Sequence, residues 1–278
     1  MLYSEGLGLG GELGWPSHRE TPVERWRGAV RIAQQDEVVE EVPVALVYNG
    51  EPHVVMLATP LDLEDFALGF SLTEGIVHSV TEVTSLRIHN RAEGIEIRMR
   101  IPQERFAGLS GRERNLTGRT GCGLCGSATL RQAVRQPAPV GKGVTVAMSD
   151  LSRAVQEIGV HQSLNQLTGA VHAAAWVLPG VGIQKTREDV GRHNALDKLI
   201  GALAKTRFER DRGFVLVTSR ASYEMVQKCA AAGISFMAAI SAPTGLAIRL
   251  AKKTGFTLLG FTRGESHVVY ANPQRLIH

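Results

Sequence analysis

The apolar and polar positions of the chain fall into two rhythms. In the first half, short β-type runs dominate. Residues 42–48 are apolar, Asn49-Gly50 follows, and residues 54–57 are apolar again. Asn-Gly between two such runs predicts a hairpin, because both residues tolerate positive φ. Asp62 stands where a cap would precede a helix with Leu63, Phe66, Ala67 and Phe70 on one face, ending near Gly75. Residues 86–88 and 95–101 read as strands. In the second, Ile95, Ile97, Met99 and Ile101 alternate with Glu96, Arg98 and Arg100.

The second half has a longer period. Ser149 is placed to cap a helix over about 150–167. Strand-like runs lie at 173–178, 214–217, 234–240 and 256–261, with helical segments at about 194–205, 222–232 and 244–254. Alternation of this kind predicts a mostly parallel sheet covered on both faces, and residues 267–270 add an edge strand. Pro137, Pro139, Gly141 and Gly143 punctuate the chain between the halves. The expected organisation is a flexible, glycine-rich tail at 1–20, a small α+β domain at 21–143, and an α/β domain with a three-layer sheet at 144–278.

Composition narrows the function only a little. At 278 residues and 44% apolar, the chain is long and hydrophobic enough for an ordinary core, which excludes wholesale disorder. A net charge of +4 is mild, but 24 of the 31 basic residues are arginine. Guanidinium suits bidentate contact with phosphate, although a coding bias explains the ratio equally well. The amino terminus lacks a basic n-region, so no signal peptide is read there. The uncharged stretch 229–248 is broken by Gly233, Pro243 and Gly245, so no membrane span is expected. A cytoplasmic protein follows, where three cysteines are reactive or metal-binding rather than a disulfide framework.

Arg119-Thr120-Gly121-Cys122-Gly123-Leu124-Cys125-Gly126-Ser127 holds the single close pair of cysteines. Three readings stay open for Cys122 and Cys125: half of a zinc site, a dithiol switch, and a sulfur-carrying nucleophile. Zinc needs two further ligands, and Cys229 lies on the apolar run of a predicted helix, where it reads as a core residue. A carrier needs a thiolate, which nearby arginines and a following helix amino terminus favour. Two strand ends carry similar loops, Thr218-Ser219-Arg220-Ala221-Ser222 and Ser241-Ala242-Pro243-Thr244-Gly245. Each suits anion binding at a helix amino terminus, and each is equally a plain cap. In Glu188-Asp189-Val190-Gly191-Arg192-His193-Asn194, Asp189 and His193 form either an acid–base pair or a capping network. Gly260-Phe261-Thr262-Arg263-Gly264-Glu265-Ser266 suits stacking on a ring and phosphate contact, or is a turn. His172-Ala173-Ala174 has alanine where a zinc deaminase has its glutamate, so deamination is not expected.

Together these segments resemble the formate dehydrogenase accessory sulfurtransferase family, FdhD. The likeness rests on residues 43–50, 62–70, 120–126, 188–198, 224–226 and 242–244, and covers nearly all of the chain after residue 20. Thr168-Gly169-Ala170-Val171 and Thr218-Ser219-Arg220 depart slightly from the family pattern. The resemblance implies an enzyme, a sulfurtransferase working through a cysteine persulfide. It would take sulfur from a cysteine desulfurase and pass it to the molybdenum bis(pterin guanine dinucleotide) cofactor that formate dehydrogenase needs. That cofactor is bound as substrate, and guanine nucleotides can substitute for it. The catalytic residues would be Cys122, as carrier, and Cys125. The cofactor-binding residues would be Phe261, Thr262, Arg263, Gly264, Glu265 and Ser266, joined by Ser219, Arg220, Thr244 and His193. A larger domain similar to the cytidine deaminase fold, a homodimer, no resident metal and no nucleic-acid partner are also implied. The rival reading is a cofactor-binding chaperone that transfers no sulfur.

Overall fold

The computed structural model describes residues 14–109, 137–206 and 208–277. It opens with a two-stranded ribbon, β1 (His18–Arg27) antiparallel to β2 (Val30–Val39). The ribbon takes in residues 18–20, which the sequence pattern assigns to the tail. Strands β3 (Val42–Tyr48) and β4 (Glu51–Ala58) form the expected hairpin, with Asn49 at φ 52° and Gly50 at φ 99°. Two positive values are what a type I′ turn requires. With β5 (Ser85–Arg91) and β6 (Gly94–Arg100) they make a four-stranded sheet in the order β4-β3-β6-β5.

Helix α1 (Leu63–Thr73) covers this sheet, packing Leu63, Phe66 and Phe70 on Val44, Leu46, Ile95, Ile97 and Met99. Asp62 is not its side-chain cap. The residue is left-handed at φ 53°, and its carboxylate lies 3.3 Å from Arg187. A short helix, α2 (Gln103–Ala107), follows β6.

The larger sheet is built from β8 (His172–Leu178), β9 (Gly182–Asp189), β10 (Phe214–Val217), β11 (Phe236–Ala239), β12 (Thr257–Arg263) and β13 (Ser266–Ala271), in the order β13-β12-β11-β10-β8-β9. β10, β11 and β12 are parallel; β8, β9 and β13 run antiparallel to their neighbours. The expectation of a mostly parallel sheet is therefore corrected to a mixed one. The missed strand is β9, folded back on β8 around Gly180 at φ 77°. Apart from Ile183, which packs on the core, the side chains of Arg187, Glu188 and Asp189 are held by polar partners, so hydrophobic periodicity gives little sign of it.

Three layers are present. Helix α3 (Met148–Glu157) sets Leu151 and Ala154 on Phe214, Leu216, Phe236 and Ala238. Ser149 lies inside that helix rather than capping it. A short helix, α4 (Ser163–Thr168), precedes β8. On the other face α5 (Arg192–Ala204), α6 (Tyr223–Ala231) and α7 (Gly245–Thr254) cover Val215, Val217, Met237 and Ala239. Two short strands, β7 (Val146–Ala147) and β14 (Leu276–Ile277), pair beside this body.

The two sheets are joined where α1 crosses α5. Gly69 and Gly201 face the other helix's backbone with no room for a side chain. Around that crossing, buried charges are paired. Lys228 Nζ lies 2.8 Å from Asp197 Oδ2, Asp197 accepts from Thr73 at 2.7 Å, and Arg187 Nη2 lies 2.6 Å from Asp65. Pairing of this kind offsets part of the desolvation cost that each buried ion carries.

Candidate functional site

The carboxyl ends of β10, β11 and β12 meet the amino ends of β8, α5, α6 and α7, and the polar loops read from the sequence converge there. Thr218 ties the first loop to β8, its hydroxyl accepting from Ala173 N at 2.9 Å. Ser219 is buried, and its hydroxyl donates to the Arg220 carbonyl at 3.1 Å. The two loops are stitched together: Ala221 N donates to Ala242 O at 3.2 Å and Thr244 N to Ala221 O at 3.0 Å. Thr244 caps α7, accepting from Ala247 N at 3.3 Å. Ser222 precedes α6 but makes no such cap bond; it faces His193 instead.

Phe261 sits in a bulge of β12 at φ 51°, with its ring 43% exposed. A phenylalanine in that region costs on the order of 1 kcal/mol or more, and its surroundings hold it there. Its N–H donates to Ser241 O at 3.1 Å, and at Gly260 an added Cβ would come 2.6 Å from Pro243 Cδ. The bulge turns an apolar ring outward at a polar edge. Arg263 reaches back to the Ile240 carbonyl at 3.3 Å. Gly264 (φ 55°) and Glu265 form the exposed turn into β13, where Ser266 pairs with Arg263. Thr262 points inward: it is 1% exposed, and its hydroxyl has no partner among the described residues.

The edge is electropositive. Burial lowers the pKa of His172 below the usual imidazole value, and Arg192 and then Arg220 push it further down against the opposing pull of Asp189. Arg192 and Arg220 are close enough to His172 to perturb it, and Arg263 follows the exposed Phe261 at the carboxyl end of β12, residue types suited to a phosphate-bearing ligand with a planar base. His172 and Arg192 belong to this cluster and were not among the residues assigned to the site from sequence. Both stand in segments that the sequence singles out, His172-Ala173-Ala174 and Glu188-Asp189-Val190-Gly191-Arg192-His193-Asn194, but only the antiparallel pairing of β8 with β10 places His172 at this edge.

Asp189 and His193 do not form an acid–base pair. The Asp189 carboxylate is consumed by structure: it lies 2.7 Å from Lys198 Nζ and accepts from Thr59 N at 3.0 Å, Gly191 N at 2.7 Å and Asn194 Nδ2 at 3.0 Å. The segment is a structural network, but not a helix cap: Gly191 precedes α5, and no side chain caps that helix. His193 turns the other way, with Nε2 3.1 Å from Ser222 Oγ and 3.2 Å from Glu224 Oε2. Burial first, then Arg192 and Lys228, drive its pKa down to about 3.

The sign of that shift gives a prediction. Below the unfolded value near 6.5, the unfolded chain binds a proton that the folded imidazole refuses. Stability is full above pH 6.5 and is lost as pH falls toward about 3. The contribution of one such group is about 1.4 kcal/mol per pH unit. Urea titrations between pH 6 and 4 are expected to show a shallower loss for His193→Gln than for the unaltered chain. Identical slopes would contradict the shift.

Cys122 and Cys125 lie outside the described residues. Cys229 is fully buried in α6, and burial pushes its thiol well above the usual range. Among the described residues no group of histidine, cysteine or acidic side chains is arranged to hold a metal, and no helix is long and apolar enough to cross a membrane. A separate cavity of about 240 Å³, lined by Leu72, Val77, Ile200, Phe208 and Ala231, opens at the far ends of α5 and α6 from His193 and Ser222.

The chain is similar to known proteins over most of its length. The model of the FdhD/NarQ family matches residues 39–277. A protein of Cupriavidus necator named sulfur carrier protein FdhD is 54% identical over 263 residues, spanning 95% of this chain and 91% of its own. Proteins of the same name from Xanthomonas euvesicatoria and Bordetella bronchiseptica are each 50% identical, over 91% and 94% of this chain and 90% and 96% of their own. A crystal structure from Desulfotalea psychrophila, described as a formate dehydrogenase accessory protein, superposes with a TM-score of 0.73 at 26% identity, covering 94% of this chain and 100% of that one.

Proposed function

The chain belongs to the FdhD/NarQ family, and on that premise we propose that it is a sulfur carrier serving formate dehydrogenase, with Cys122 as the atom that bears the sulfur. The observation that carries the assignment is the fate of the third cysteine. Of three in the chain, Cys229 is enclosed in the core with its thiol held protonated. Sulfur chemistry needs an accessible thiolate, so it falls to Cys122 and Cys125.

Two balanced steps follow. The Cys122 thiolate attacks the outer sulfur of a desulfurase persulfide, forming Cys122–S–SH and releasing the desulfurase cysteine as thiolate. The Cys125 thiolate then attacks the inner sulfur of Cys122–S–SH, releasing hydrosulfide and leaving a Cys122–Cys125 disulfide. The two electrons that reduce the sulfane sulfur come from the cysteine pair itself.

The acceptor is the molybdenum bis(pterin guanine dinucleotide), bound as substrate. Arg192, Arg220 and Arg263 would meet its phosphates, with Thr244 and Ser219 shaping the loops and Phe261 stacking on a ring. Guanine nucleotide would occupy the same edge. The deaminase-like architecture, the homodimer and a cytoplasmic setting complete the reading. The test is mass spectrometry after incubation with a cysteine desulfurase and cysteine. A gain of about 32 Da is expected on the peptide carrying Cys122, reversed by a thiol reductant. A gain confined to Cys229, or none at all, would overturn the assignment.

A further inference from the structure

The cavity at the far ends of α5 and α6 has no part in the sulfur chemistry, and it lies where the two sheets are joined. Leu72 of α1 and Val77 beyond it form one wall; Ile200 of α5, Phe208 and Ala231 of α6 form the other. Its volume is about 240 Å³, roughly the room of eight water molecules. Water held against such walls finds few partners, so an apolar occupant displaces it at a gain. The walls are firm. Val77 and Ile200 belong to the core, and Phe208 stands edge-on to Trp176 with ring centres 5.6 Å apart.

The polar groups around the cavity have partners, with one exception. Ser79 accepts from Thr81 N at 3.3 Å, the Thr206 hydroxyl donates to the Leu203 carbonyl at 2.8 Å, and the N–H of His78 donates to Glu82 at 3.0 Å. The carbonyls at the three helix ends are taken by turn bonds: Ser71 O accepts from Ile76 N, Leu203 O from Thr206 N, and Cys229 O from Ile234 N. Arg210 also lines the cavity; it is exposed and has no hydrogen-bond or ionic partner among the described residues. Its stem lies against Gly233 (φ 77°), where an added Cβ would come 2.6 Å from Arg210 Cδ. Neither Glu209 nor Asp211, its neighbours in the chain, lines the cavity.

We propose that this cavity binds a small monocarboxylate with an apolar body of about eight carbons. The carbon chain lies between α1 and the ends of α5 and α6, and the carboxylate sits at the mouth on the Arg210 guanidinium. Guanidinium offers a carboxylate two parallel N–H groups. The opposing effect is the partial negative charge at helix carboxyl ends, which would favour an ammonium group instead. That effect is blunted here, because the carbonyls named above already accept bonds, whereas Arg210 is a full and unpaired charge. Nothing in this proposal depends on the sulfur-transfer reading.

Calorimetric titration with octanoate, 1-octanol and octylammonium tests it. Octanoate is expected to bind at one site and more tightly than the other two. From butanoate upward, affinity should rise about fourfold per methylene until the cavity is full. Arg210→Gln is expected to weaken octanoate about tenfold or more and to leave octanol unchanged, and Arg210→Glu to reverse the preference toward octylammonium. The position is exposed, so circular dichroism should not change. Ala204 and Ala231 line the cavity without lying in the core. Ala204→Leu and Ala231→Trp put bulk into the cavity and across its mouth, and should weaken octanoate and octanol alike. Absence of octanoate binding at millimolar concentration, an affinity unmoved by Arg210→Gln, or binding undiminished in both alanine variants would each overturn the proposal.

Discussion

Cells whose own copy is replaced by the Cys122→Ala variant are expected to accumulate formate dehydrogenase protein with no more activity than a strain lacking the carrier altogether. The expectation of complete loss follows from the cysteine inventory. Alanine removes the only group at position 122 that can take up a sulfane sulfur. Cys229 cannot replace it: the side chain is 0% exposed, and burial, reinforced by the Asp197 carboxylate, opposes its ionisation. Cys125 stays in place, but with no persulfide at 122 it has nothing to resolve. On the proposed reading the variant should keep its thermal stability and bind guanine nucleotide as the unaltered chain does, because the edge formed by Thr218–Ser222, Ser241–Thr244 and Phe261–Arg263 is built from other elements. Colorimetric formate oxidation in cell extract reads the first outcome, and calorimetric titration with GDP reads the second. Formate oxidation at the unaltered level would end the carrier assignment. Nucleotide binding lost from Arg263→Ala but kept in Cys122→Ala would separate the two ends of the reaction.

The parts of this fold that sequence reveals are those where one side of an element is dry. Strand β6 alternates because Ile95, Ile97 and Met99 face a core while Arg98 and Arg100 face water. The β3–β4 turn is legible because Asn49-Gly50 has one common solution. Strand β9 is not, because Arg187, Glu188 and Asp189 bond to Asp65, to the amides of Leu164 and Asn165, and to Lys198. A strand buried through polar partners carries no hydrophobic period. Asp62 misled for a related reason: a helix-capping residue type and an ion-pairing one are the same residue type, and Arg187 lies 125 positions away in the chain. The site was partly legible. Hydroxyl-rich loops at strand ends marked where the polar edge lies, but the left-handed turn at Phe261 and the placing of His172 at that edge depend on backbone geometry that no residue pattern encodes.

The crossing of α1 and α5 yields the second large effect: Gly201→Val is expected to prevent the chain from folding stably. Mid-helix glycine is unfavourable by about 0.5–1 kcal/mol relative to alanine, so two of them facing each other call for a reason. Each is the place where the other helix's backbone comes. A Cβ on Gly201 would overlap the Asp65 carbonyl oxygen, and one on Gly69 would overlap that of Asp197. Backbone cannot swing aside like a side chain, so the helices must separate. Separation loosens what the crossing holds in register: Lys198 on the Thr59 carbonyl, Thr73 on Asp197, and Arg187 on Asp65. Ordinary overpacking costs about 1–3 kcal/mol, and parting a buried ion pair about 3–5 kcal/mol. Their combination reaches the lower end of a typical total stability, about 5–15 kcal/mol. Gly201→Ala carries the same Cβ and should lose about 4 kcal/mol or more in urea unfolding, and Gly201→Val should be recovered mainly as insoluble or protease-sensitive chain. Gly159 has nothing within 4 Å of an added Cβ, so Gly159→Ala should stay within about 0.5 kcal/mol of the unaltered chain. Wild-type stability in Gly201→Val would mean that the two helices do not depend on this contact, and that the sheets they join are held by the surrounding charges alone.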